Sequence, residues 1–293
     1  MNNNGEKKIE FINTKSGKIH SIDFLSTTPS DKIVLCIHGF CCDARIFNYL
    51  GRELSKQGFN VKCIDLLGHG KSDGQQGDPE FDQCLNAINE IVTSLKRKFN
   101  VYILSHSMGC TFGLWYAKKF KDSFDGLILL APYLRIKMKK RSDVEPGFFG
   151  FLYLFLRRLI TPKSRIMVTD ALPNYLEVGG DEIASMLKDP KLNFRYSFRY
   201  LVDTIAIKNT KVSELSEINV SLLIVHGKKD RQVYHKVGEK FFNLVQSKDK
   251  QFKSINCDHW FFDTIFYNQL SDKYSETDRK SVINLLSNWL STH

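Results

Sequence analysis

Apolar residues run along this chain in two rhythms. "KIEFINT" (8–14) and "KIHSIDFLS" (18–26) alternate polar with apolar positions on either side of Lys15-Ser16-Gly17, which predicts an antiparallel hairpin. "KIVLCIHG" (32–39) is a nearly continuous apolar run, as expected of a strand covered on both faces. Residues 43–57 then follow a helical period, with Asp43 as the N-cap. The series continues as strand "FNVKCIDLL", a glycine-bearing loop, helix 80–98, strand "NVYILS", helix 108–120 and strand "DGLILLA". Strands alternating with helices predict a parallel sheet with right-handed crossovers. The rhythm breaks at Pro132 and resumes with strand "NVSLLIVHG" (219–227), helix 233–246, strand "QFKSINC" and a closing helix over 275–290. The interval between is too long for a loop. It predicts a mainly helical cap at 133–218, inserted in a core built from 1–132 and 219–293.

Composition changes this picture little. With 42% apolar and 25% charged residues in 293, the chain reads as globular. Its start, "MNNNGEKKIEF", has no apolar signal region, and no run of about 18 apolar residues is present. Seven scattered cysteines without a Cys-x-x-Cys pair point to a reduced, cytoplasmic protein. The formal net charge of +10 raises nucleic-acid binding, but no arginine-rich tract or zinc spacing supports it. The excess is local. Residues 133–165 hold nine basic and two acidic side chains beside "FFGFLYLFL" (148–156), while 166–220 hold six basic and eight acidic. Such a segment is either a packed cap helix with arginines on its wet side or a peripheral contact with anionic membrane.

The candidate chemistry starts at "ILSHSMG" (103–109). Ser107 falls where a strand gives way to a helix. A turn that sharp lifts its side chain above the sheet and needs small neighbours two residues away on each side. Gly109 meets that need, Ser105 replaces the usual glycine, and Gly113 allows close packing one turn on. A serine nucleophile needs a base, an acid that orients the base, and donors for an oxyanion. Asp230 follows the strand "SLLIVHG" and His259 follows "FKSINC". Three strand ends therefore deliver Ser107, Asp230 and His259 in the chain order this arrangement uses. Asp258 is too close in sequence to orient His259, and Asp203 is the reserve acid. The N–H groups of Phe40 and Met108 are the expected oxyanion donors. His38 and His226 are expected to brace loops, His69 to sit in the loop after a strand and His235 on a helix, with His20 and His293 peripheral.

Taken together, "CIHGF", "DLLGHGKSDG", "SHSMG", "VHGKKDRQV" and "DHW" resemble the α/β-hydrolase superfamily, nearest to its monoacylglycerol lipase and lysophospholipase branch. The resemblance covers about two thirds of the chain and skips the cap. It implies an α/β fold with helices on both faces of a mostly parallel sheet. The implied activity is hydrolysis of medium- or long-chain carboxylic esters through an acyl-enzyme on Ser107, with no cofactor or metal. Gly39, His106, Phe148 and Phe198 are expected to line the substrate's path, and the partner is a lipid or other acyl ester. An acyltransferase using the same intermediate, or a non-catalytic ligand-binding protein on this fold, remains an alternative.

Overall fold

Eight strands form one sheet in the computed structural model, which describes residues 6–134, 136, 138, 142–208, 212–266 and 271–293. In chain order they are β1 (Lys7–Thr14), β2 (Gly17–Phe24), β3 (Lys32–Ile37), β4 (Asn60–Ile64), β5 (Asn100–His106), β6 (Gly126–Leu130), β9 (Ser221–Gly227) and β10 (Lys250–Ile255). Their order across the sheet is β1-β2-β4-β3-β5-β6-β9-β10. The first hairpin is antiparallel and joins β4 antiparallel; every later pair is parallel. The chain runs from β3 to β4 on one side and then crosses back to β5 on the other. That reversal opens a crevice at the carboxyl ends of β3 and β5, where sheets of this kind place ligands.

Helices α1 (Asn48–Lys56), α2 (Phe81–Leu95), α3 (Gly109–Lys119), α9 (His235–Leu244) and α10 (Glu276–Thr292) cover the sheet. Side chains alternate along β5, so Tyr102 and Ser105 point to opposite faces. Tyr102 meets Trp289 of α10 edge-on at 6.0 Å, and Ser105 meets α3 at Gly113. The two faces thus carry different helices, and the central strands β3, β4, β5, β6 and β9 between them are buried beyond their first residues. Asp43 caps a short 3₁₀ turn, Ala44–Phe47, ahead of α1 and accepts the Arg45 N–H. A Ser275–Asp278 capping box opens α10. His20, expected at the periphery, is buried instead: its Nδ1 lies 2.8 Å from Asp65 Oδ2. The burial follows from β2, which lies inside the sheet between β1 and β4.

Between β6 and β9 lie α4 (Phe148–Ile160), β7 (Arg165–Met167), α5 (Val168–Ala171), α6 (Tyr175–Leu187), β8 (Arg195–Ser197), α7 (Phe198–Lys208) and α8 (Val212–Leu215). The pairing of β7 with β8 adds a small antiparallel ribbon to the expected helices. This segment is pinned to core loops by Arg199–Asp78 at 2.6 Å and Arg45–Asp189 at 3.2 Å. On α4 only Leu154 is buried, whereas Phe148, Phe149 and Ile160 are 75%, 81% and 75% exposed. Leu152, Tyr153, Phe155, Leu156 and Leu159 are exposed as well. The basic residues Arg135, Lys137, Lys139, Lys140 and Arg141 lie outside the described residues.

Candidate active site

Ser107 sits between β5 and α3 with φ at +54°, in the left-handed region. A residue bearing a side chain holds that conformation at a cost of about 1–2 kcal/mol, so the surroundings must enforce it. They do. The Ser107 N–H donates to the Leu130 carbonyl at 2.9 Å, which ties the turn to β6. A Cβ on Gly109 would lie 2.5 Å from the carbonyl oxygens of Ile37 and His38, so only glycine allows α3 to start this close to β3. Ser105 is fully buried, and its Oγ lies 2.6 Å from where a Cβ on Gly113 would stand. Gly113 makes room for the serine that replaces the usual glycine. That Oγ has no hydrogen-bond partner among the described residues.

Asp230 and His259 come together from the ends of β9 and β10. His259 Nδ1 donates to Asp230 Oδ2 at 2.7 Å, and the Val233 N–H donates to Asp230 Oδ1 at 2.8 Å. Asp230 is fully buried. Burial pushes its carboxyl up, but the charge of His259 and hydrogen bonds from His226 and His259 outweigh it and hold the acid well below its ordinary value. The other acids are occupied elsewhere. Asp258 accepts from the Trp260 N–H at 2.9 Å and from the Tyr274 hydroxyl, and Asp203 pairs with Arg158 at 2.7 Å. His106 donates Nε2–H to the His259 carbonyl at 3.1 Å, and the two rings stand 4.7 Å apart. His106 therefore supports the His259 loop as well as facing the cavity.

Ser107 and His259 line one cavity. Gly39, Phe40, His106 and Met108 border it as well. Neither the Phe40 nor the Met108 N–H makes a hydrogen bond among the described residues, so both are free to serve an oxyanion. Apolar side chains from the β6–β9 connection form the roof: Val144, Pro146, Leu154, Ala171, Leu172 and Leu201. Among the described residues no Asp, Glu, Lys or Arg side chain lines it. Phe148 and Phe198 do not line it either. Phe148 is at the exposed start of α4; Phe198 is buried against Tyr153 and the Arg157 guanidinium. The aromatic content of these segments does not say which way each helix turns. Gln232, Trp260 and Tyr175 line the cavity unforeseen. The first two lie within two residues of Asp230 and His259, and that nearness was the available signal. Among the described residues no group of three or more His, Cys, Asp or Glu side chains is placed to hold a metal ion.

Residues 28–259 match the Hydrolase_4 family, described as serine aminopeptidase, S33. The chain belongs to this family. Its relatives include the AB hydrolase superfamily protein YisY of Bacillus subtilis, 24% identical over 72% of this chain and 79% of that protein. The monoacylglycerol lipase of Mycolicibacterium smegmatis is 20% identical over 91% of this chain and 90% of its own length. Among solved structures, a soluble variant of the Saccharomyces cerevisiae monoglyceride lipase, in complex with a substrate analogue, superposes with a TM-score of 0.79. It covers 98% of this chain and 96% of its own at 22% identity. The α/β-hydrolase fold of the Hydrolase_4 chain is thus shared along nearly its whole length.

Proposed function

We propose that this Hydrolase_4 protein hydrolyses carboxylic esters of medium- or long-chain acids, of the monoacylglycerol lipase, lysophospholipase or carboxylesterase type, through an acyl-enzyme on Ser107. The observation that carries the reading is the cavity, apolar-roofed and without Asp, Glu, Lys or Arg among its described lining residues, that holds Ser107 and His259, with Asp230 hydrogen-bonded behind the imidazole. Ser107 attacks the ester carbonyl. His259 Nε2 takes its proton and returns it to the leaving alcohol, while Asp230 fixes the imidazole tautomer and balances its charge. The Phe40 and Met108 N–H groups receive the oxyanion. Water activated by His259 then clears the acyl group. The family's description names an aminopeptidase, but among the described residues the cavity lining has no Asp or Glu to hold a substrate ammonium. Its apolar roof favours an acyl chain.

In this reading residues 133–218 are the cap and the remainder is the hydrolase core. The cap lays an apolar helix, α4, open to solvent. Exposed apolar surface of that extent marks a docking face. With the basic residues that precede α4 in sequence, it supports reversible contact with an anionic membrane by a cytoplasmic protein. Seven free, buried cysteines accord with a reducing compartment, and no described helix is long and apolar enough to cross a membrane.

The test is labelling with an alkyl fluorophosphonate, followed by hydrolysis of p-nitrophenyl esters of increasing acyl length. Labelling of wild type but not Ser107→Ala, with a rate optimum at eight carbons or more, is expected. A folded protein that resists the probe, or one that cleaves only acetate, would overturn the reading.

A further inference from the structure

Asp230 is held by two histidines, and the proposed mechanism uses one. His226, the next-to-last residue of β9, is wholly buried. Its Nε2 stands 2.9 Å from the Val233 carbonyl oxygen and 3.4 Å from Asp230 Oδ2. A lone pair on Nε2 would face two oxygens, so that nitrogen carries the proton and directs one N–H at both. The Val233 N–H in turn donates to Asp230 Oδ1 at 2.8 Å. His226 therefore closes the turn from Gly227 to Val233 from within, joining its first residues to its last through the carboxylate. The far side of the ring is sealed. A Cβ on Gly238 of α9 would stand 2.5 Å from His226 Nδ1, and His235 packs against the ring edge at 5.6 Å. No water reaches the ring to compete with these contacts.

We propose that His226 is a positioning residue of the active site: its buried Nε2–H fixes the rotation of the Asp230 carboxylate, so that Oδ2 stays on His259 Nδ1. This rests on the reading of Asp230 as the catalytic acid. An N–H shared with Oδ2 draws charge from the oxygen that His259 also uses. His226 thereby makes the carboxylate less basic and sets how strongly it stabilises the His259 imidazolium. Among the described residues the other titratable groups around this centre are His106 at the end of β5, His235 and Glu239 on α9, Lys228 and Lys229 after β9, and Cys257 and Asp258 before His259.

The experiment compares wild type, His226→Met and His226→Gln. Met fills the space without a donor; Gln returns an N–H near the Nε2 position. Readouts are kcat and KM for a soluble p-nitrophenyl ester across pH, and the unfolding midpoint. For His226→Met, kcat is expected to fall about tenfold or more with KM little changed, as for loss of one charge-assisted hydrogen bond. The acid limb of kcat/KM should move to higher pH by on the order of half a unit, because the freed carboxylate holds the imidazolium more firmly. His226→Gln should recover most of both changes. An acid limb that stays in place while activity falls only in step with the unfolding midpoint would overturn the proposal. So would a His226→Gln protein no better than His226→Met at equal stability. If wild type is not labelled by a fluorophosphonate at Ser107, the serine mechanism itself falls. A labelled, active wild type with an unaltered His226→Met variant removes only the role of His226.

Discussion

The hydroxyl of Ser107 is the only group in the turn with a proposed covalent role. Ser107→Ala should leave the fold intact and reduce ester hydrolysis on the order of 10⁶-fold, read by turnover beside circular dichroism. A folded variant with a tenth of wild-type activity would contradict it. Asp230→Asn should cost about 10⁴, since an amide neither selects the imidazole tautomer nor balances its charge. Near-normal turnover would move the acid elsewhere. Ser105 tests the departure from the usual glycine. Its buried Oγ has no partner, so Ser105→Ala should raise unfolding stability by about 1 kcal/mol and change turnover less than tenfold. A large activity loss would give that hydroxyl a role. These residues were legible because strand ends announce themselves: an apolar run stops, and Ser107, Asp230 or His259 follows. The partner contacts were less so. That Gly113 yields space to Ser105, or that His226 reaches Asp230, depends on how helices lie against the sheet, which spacing alone does not give.

Two elements carry more than their sequence suggested. Helix α4 is open to a buried or an interfacial reading, because most of "FFGFLYLFLRRLI" is apolar and the sequence does not say whether its apolar side meets the core or a lipid surface. The structure leaves most of it exposed. Phe148→Glu with Phe149→Glu should therefore weaken co-sedimentation with phosphatidylglycerol vesicles severalfold while hydrolysis of a soluble short ester is unchanged. Equal sedimentation would leave α4 without a lipid role. The second element is the turn after His259. Phe261, Phe262 and Asp263 all have positive φ, between +54° and +59°, a left-handed stretch of three side-chain-bearing residues. Nothing in "WFFDT" announces it, since it is held from a distance. Asp263 accepts from the Ser271 N–H at 3.0 Å and pairs with buried Arg279 of α10 at 3.4 Å. Arg279→Met strands that carboxylate and should cost about 3 kcal/mol or more of stability, measured by urea unfolding, with turnover falling as the His259 loop loosens. A loss under 1 kcal/mol would mean that the turn holds itself.

Across the whole molecule, buried imidazoles set the response to acid. Burial, aided by neighbouring His38, pushes His69 down to about 3. His38 is lowered by burial, and His106 is lowered well below its usual value by burial and by His259. In the unfolded chain each titrates near about 6.5. As pH drops below that value the unfolded chain binds protons that the folded one refuses, so stability declines toward acid. The depressed carboxylates Asp230 and Asp65 act lower down: the stability they contribute is present above an unfolded value of about 4 and is lost as pH falls further. Urea midpoints between pH 7.5 and 5 should fall, with a slope that grows toward the uptake of about three protons on unfolding. A flat profile would mean that the three rings take up charge within the folded protein. The sheet and its order of elements were readable because they repeat. This acid response was not, since it depends on which histidines the packing seals from water.

The absence of carboxylates, lysines and arginines among the described residues of the cavity wall gives turnover a direction. A monoacylglycerol or simple ester enters neutral, and its alcohol leaves neutral. The acid, once formed, ionises at neutral pH and meets no Lys or Arg among the described lining residues, only the imidazoles of His106 and His259; beside neutral rings its burial costs several kcal/mol. The wall thus holds substrate and rejects product, and the released fatty acid should be a poor inhibitor. At pH 8 a long-chain carboxylate is expected to inhibit far more weakly than the primary amide of equal length, with the gap closing as the pH is lowered. Equal inhibition at pH 8 would mean that a cation reaches the site as product forms.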